Sequence, residues 1–185
     1  AYAITNEPAF ATDARAIVLG YAERYEAYPY HSNDGDPTRQ RDSGGHILEQ
    51  TLSEASLFVG HFVPAIDLLW PILDAEQRAQ VLEHLVRPLV RNIDKCKRGK
   101  SNWQSWHNAA LFAGGVLLGD RELMAGSVLD PKQGFLFQMR ACVSEDGMWY
   151  ENSFGYHLYT LDALVHHAAL GRGRRWVSIH GAAHR

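Results

Sequence analysis

The feature that most restricts this chain is the spacing of its apolar residues. They recur every three or four positions almost from end to end, and strand-like alternation is scarce. Over residues 12–28, Ile17, Val18, Tyr21, Ala22 and Tyr25 share one face; over residues 47–62, Leu48, Leu52, Ala55, Phe58, Val59 and Phe62 do the same. Pro64 and Pro71 limit the short apolar segment that follows. Asp74-Ala-Glu-Gln77 reads as a capping arrangement ahead of Val81, Leu82, Leu85, Val86, Leu89, Val90 and Ile93. Pro88 lies inside that pattern and is predicted to kink or split it, because its ring clashes with the preceding turn. Further helices are predicted over residues 101–118, 121–128, 131–143 and 153–170. Amphipathic helices with short links imply an all-α fold of helical hairpins, stacked as an array or closed as an α/α toroid.

Two stretches depart from this pattern. Residues 31–45 are polar and turn-rich, long enough for a functional loop. Residues 171–185, with Arg172, Arg174, Arg175 and Arg185, lack periodicity and read as an irregular basic tail or truncated boundary after a helical domain over residues 1–170. A net charge of −3 gives no basic field for nucleic acid. No run reaches the ~18 apolar residues expected of a membrane helix. Cys96 and Cys142 have no zinc spacing and read as reduced thiols. None of the ten His forms a ligand pattern, so no metal is expected.

Chemistry concentrates in two segments. In Ser101-Asn-Trp-Gln-Ser-Trp-His-Asn108, taken as the start of a helix, Asn102 and Gln104 lie where free N–H groups favour an anion, and His107 sits one turn further in. In Asp146-Gly-Met-Trp-Tyr-Glu-Asn-Ser-Phe-Gly-Tyr-His-Leu-Tyr159, a turn leads to a helix on which Tyr156, Tyr159 and Thr160 share a side. Each aromatic residue alone would suit a core. Together the segments offer a proton acceptor, a proton donor, amides and flat faces for a sugar ring.

That inventory suits β-elimination from a uronic acid. The C5 proton is very weakly acidic while C6 stays ionised, so polar groups must stabilise the enolate-like charge that develops. A neutral imidazole (pKa ~6.5) or a phenolate can take the proton, and a phenol (pKa ~10) can protonate the departing O4. No cofactor is needed. A glycoside hydrolase would need two flanking carboxylates; Glu49, Glu54, Glu145, Asp146, Glu151 and Asp162 keep that alternative open. So does the reading of a non-catalytic sugar-binding helical module or inactive fragment.

Asn102-Trp-Gln-Ser-Trp-His-Asn108 and the segment from Asp146 to Tyr159 resemble motifs of the heparinase II/III-like polysaccharide lyases, closest to the oligoalginate lyase branch, polysaccharide lyase family 15. Gly44-Gly-His-Ile-Leu-Glu-Gln-Thr-Leu-Ser-Glu54 resembles an earlier helix of the same toroid. The resemblance implies a partial α/α toroid whose accompanying β-sandwich domains are absent here, acting on an acidic polysaccharide or oligosaccharide, with alginate oligomers the expected substrate and no membrane or nucleic-acid partner. By motif position it makes Tyr156 the catalytic acid, and also the base when the leaving group is syn to the proton. It makes His107 base or carboxylate neutraliser. Asn102, Gln104 and Asn108 become carboxylate or sugar contacts, with Trp103, Tyr150, Glu151 and Tyr159 beside them and His46, Gln50 and Glu54 lining the same cleft. Where the family pattern has Arg, this chain has His46.

Overall fold

The computed structural model describes residues 2–33 and 43–172; the middle of the polar loop and the basic tail beyond Arg172 lie outside the described residues. The described residues are helical, with strand pairing limited among them to two isolated bridges, His31 with Gly45 and Val143 with Trp149. A short α1 (Tyr2–Thr5) precedes α2 (Pro8–Arg24), which opens on Pro8, where a missing N–H costs nothing.

Two rods follow. The first joins α3 (Thr51–Leu57), a π turn (Phe58–Phe62) and α4 (Val63–Leu69); the second joins α5 (Ala75–Val81), a π turn (Leu82–Val86) and α6 (Arg87–Lys95). In each, a proline follows directly on the π turn: Pro64 in α4 and Pro88 in α6. The wider turn makes room for the ring against the carbonyl four residues earlier. The break predicted at Pro88 is therefore a local bulge in a helix that continues. Asp74 caps α5 as expected: its carboxylate accepts the Gln77 N–H at 2.8 Å, and Gln77 Oε1 accepts the Asp74 N–H at 3.3 Å. The first rod, Thr51–Ile72, has 22 residues and a mean hydropathy of 1.4, long and apolar enough to cross a membrane, contrary to the sequence expectation. Its Phe58, Val59, Phe62, Val63 and Ile66 here fill the core.

The centre is α7 (Asn102–Leu118), buried on nearly every face, with polar side chains enclosed in its first half and an apolar second half. It packs against α3, α6, α8 (Arg121–Leu129) and α10 (Phe154–Gly171), with α9 (Phe135–Ala141) at the edge. Close approach explains its glycine pair: a Cβ at Gly114 would lie 2.3 Å from Val90 Cγ1, and one at Gly115 2.7 Å from Met124 Cγ. Gly114→Ala is expected to cost about 1–3 kcal/mol by overpacking, read as a lowered urea midpoint, with Val90→Ala beside it restoring part of the loss.

Helix direction sets up the site. Trp106 meets Tyr159 at 5.1 Å between ring centroids, and Phe112 meets His167 at 4.8 Å, so α7 and α10 run parallel. Asn92, in the last turn of α6, donates to Gly44 O at 3.1 Å and to Glu54 Oε2 at 3.4 Å, which puts the start of α3 beside the end of α6. The short link from α6 to α7 then brings the N-termini of α3, α7 and α10 to one end of the molecule.

Candidate active site

Tyr156 occupies the first turn of α10 and is 51% exposed. Asn152, with φ 53°, reverses the chain, and Ser153 Oγ caps the helix by accepting the Tyr156 N–H at 3.4 Å. The helix predicted over residues 153–170 is thus found almost unchanged as Phe154–Gly171. Its outward stripe, Phe154, Leu158, Leu161 and Val165, is exposed.

At the start of α7, Ser101 Oγ accepts the Gln104 N–H at 3.2 Å. The anion expected there is the protein's own: Glu151 accepts the Asn102 backbone N–H at 3.1 Å and its Nδ2 at 3.0 and 2.9 Å. An ionised carboxylate only accepts, so the amide N–H groups must face it. Asn102 Oδ1 is left buried with no hydrogen-bond partner among the described residues. In this orientation Asn102 turns no donor towards a substrate carboxylate, and its unpaired oxygen is enclosed. Gln104 and Asn108, 1% and 2% exposed, are committed elsewhere. Gln104 Nε2 donates to Asn108 Oδ1 at 2.9 Å, Gln104 Oε1 accepts the Arg98 N–H at 2.8 Å, and Asn108 Nδ2 donates to Gln133 O at 2.7 Å. They floor a cavity of about 330 Å³ whose charged lining is Asp94, Asp120, Glu122 and Asp130 against the single cation Lys97, a net negative surround that disfavours a uronate.

His107 is 0% exposed. Its Nδ1 meets Cys96 O at 3.1 Å, and its ring stands edge-on to Trp103 at 6.2 Å. Burial pushes its pKa down to about 3 against the raising effect of the Cys96 carbonyl, with Arg98 and Lys97 adding to the fall. The imidazole is neutral at physiological pH and has no surface from which to reach a sugar. His167, between Phe112 and Phe135, is likewise held down to about 4 by burial. A depressed histidine binds its proton in the unfolded chain first, so stability falls as pH drops from ~6.5 towards the folded value. For His167 the loss should reach about 3 kcal/mol by pH ~4. Urea unfolding at pH 7 and pH 4.5 should show a shallower loss for His167→Leu than for the unaltered chain.

Glu54 is fully buried and fully occupied. Oε1 accepts the N–H groups of His46 and Ile47, each at 2.7 Å; Oε2 accepts Tyr25 OH at 3.0 Å. Burial pushes the Tyr25 phenol far above its usual range, and the Glu54 charge adds to this. Glu54 therefore organises the loop and has no oxygen to spare for a sugar, a correction to its expected place in the cleft. The same bonds explain why the helix predicted from residue 47 begins at Thr51. His46 is half-buried between Tyr25 and Tyr30, its Nδ1 at 2.9 Å from Tyr28 O. Gln50, half-buried, sits at the N-cap of α3.

In sequence the Lys95–Lys100 run reads as a solvated basic helix end by which an anionic polysaccharide could be steered; the structure sets two of its cations on aromatic faces. The Arg98 guanidinium lies 4.6 Å from the Trp103 ring and Lys100 Nζ 4.1 Å from the Tyr150 ring, while Tyr150 OH donates to Lys100 O at 2.6 Å. Trp103 and Tyr150 thus carry cations over their faces. Tyr159 packs on Trp106, and burial raises its pKa. Cys96 and Cys142 are free and buried. Among the described residues, no three His, Cys, Asp or Glu side chains gather as a metal ion requires.

A solvent-facing phenol at an end where helix N-termini and basic side chains meet is a setting for acid–base chemistry on an anionic ligand. Comparison with known proteins gives the family of the chain. The family described as alginate lyase matches residues 1–184, and the chain belongs to that family. It is 26% identical over 172 residues to an exo-oligoalginate lyase of Saccharophagus degradans, covering 89% of this chain and 22% of the relative. It is 29% identical over 171 residues to an alginate lyase of Stenotrophomonas maltophilia, covering 86% of this chain and 22% of that relative. The chain thus spans 22% of the length of each of these curated relatives.

Proposed function

We propose that this chain is part of a polysaccharide lyase that cleaves alginate oligomers by β-elimination, with Tyr156 as the reacting side chain. The observation that carries this is the exposed phenol on the first turn of α10, in a chain of the alginate lyase family. The chain forms part of an α/α toroid, as the parallel α7 and α10 suggest.

The C5–H bond breaks, its electron pair forms the C4=C5 double bond, and the C4–O4 bond breaks as O4 gains a proton. Where O4 is syn to the C5 hydrogen, one phenol serves both steps: its phenolate takes the C5 proton and the phenol returns it to O4. Because His107 is wholly buried, we place it as support beneath the first turns of α7 and route the proton through Tyr156 alone. The ammonium and guanidinium groups of Lys100 and Arg98 draw the polyanion to this end and favour the negative charge that builds on C6.

The test is incubation of the purified protein with alginate, heparin, heparan sulfate and hyaluronan, followed by mass analysis. Chains with 4,5-unsaturated ends from alginate are the expected result. Saturated fragments would indicate a hydrolase, and binding without turnover a sugar-binding module; either outcome removes the elimination.

A further inference from the structure

Glu151 joins two helix starts. Besides holding Asn102, its carboxylate accepts Trp149 Nε1 at 2.6 Å. Trp149 in turn gives its backbone N–H to His157 Nδ1 at 3.2 Å, and His157 follows Tyr156 in the first turn of α10. An unbroken run of hydrogen bonds therefore leads from the first residue of α7 to the turn that carries the exposed phenol. The left-handed backbone at Asn152 and the Ser153 cap lie within the same few residues, so the segment that grips α7 also launches α10.

We infer that Glu151 is a positioning residue, which fixes the Tyr156 turn against α7 through Trp149; the inference rests on the elimination proposed at Tyr156. The chemistry favours a carboxylate in this place. All its donors can face it at once because it has no hydrogen to oppose them, and bonds to an ionised acceptor are about twice as strong as neutral ones. A leucine would leave the Asn102 backbone N–H and the Trp149 indole N–H, which share Oε2, without their acceptor, whereas a glutamine can keep its oxygen in that place. The helices would stay docked, since the Phe112–His167 contact lies well along both. What would loosen is the first turn of α10, and misplacement of a reacting group by ~1 Å costs roughly a hundredfold in rate.

The experiment is Glu151→Leu in the purified protein, read by kinetics on oligoalginate and by NMR of the Trp149 indole N–H and the Tyr156 ring. We expect both sets of resonances to move, kcat to fall roughly 30- to 100-fold, and KM to change less than about threefold. Trp149→Phe, which removes the indole donor and keeps an aromatic body, should lower kcat in the same direction should the first variant fold poorly. Unaltered kcat in folded Glu151→Leu would overturn the inference. So would a Tyr156 ring resonance that does not move, whatever the activity. Absence of unsaturated product from the unaltered protein removes the elimination instead, and the Tyr156 resonance then decides the Glu151 contact alone.

Discussion

Tyr156→Phe is expected to lower kcat on oligoalginate by roughly a thousandfold and to leave KM within a few-fold of the unaltered value. General acid–base groups contribute about 10²- to 10⁴-fold, and here one phenol is asked to act in both directions. The substitution deletes a single oxygen from a residue that is 51% exposed and lies outside the hydrophobic core. Thermal stability should therefore stay within about a degree or two, which separates lost chemistry from lost folding. Binding of oligoalginate, followed by calorimetry, should persist. Full turnover in Tyr156→Phe would sink the assignment, because the proposed elimination routes the proton through this phenol alone. His107→Ala should behave differently: it opens a cavity under α7, so it should lower the unfolding midpoint first and activity as a consequence.

What the sequence disclosed and what it hid follow from the range of the forces involved. Caps and turns are local, so the Asp74–Gln77 box and the start of α10 at Ser153 were readable from neighbours in the chain. The start of α3 was not, because the backbone N–H groups of His46 and Ile47 bond to a side chain seven or eight residues away. The helix predicted from Pro131 begins instead at Phe135, because Asp130 draws the Lys132 N–H into a turn first. The density of Asn, Gln and His in α7 was visible, but periodicity cannot say which face of a helix buried all round meets solvent. Hence Gln104, Asn108 and His107 were read as site groups, whereas the structure spends them on internal bonds. Tyr156 was equally ambiguous in sequence, and its exposure is what separates it from the other phenols of the segment, Tyr150 and Tyr159.

Glu54→Leu should be the most destabilising single change at this end, by roughly 4–6 kcal/mol. Leucine nearly fills the carboxylate's volume, so the cost is polar. The N–H groups of His46 and Ile47 and the hydroxyl of Tyr25 lose their shared acceptor in a place water does not reach, and each buried unsatisfied donor costs about 1–3 kcal/mol. That sum is a large share of the ~5–15 kcal/mol that holds a domain folded. Glu54→Gln should cost about 1–2 kcal/mol: its single oxygen can still serve the two backbone donors, while its NH2 group faces Asn92 Nδ2, another donor. Gly45 belongs to the same arrangement, for a Cβ there would lie 2.5 Å from Glu54 Cδ and 2.3 Å from Leu48 O, so Gly45→Ala should also unfold early. Urea melts of the three variants test the ordering. If Glu54→Leu proved as stable as the unaltered protein, the carboxylate would not be what folds this loop, and its place in the sugar cleft would have to be considered afresh.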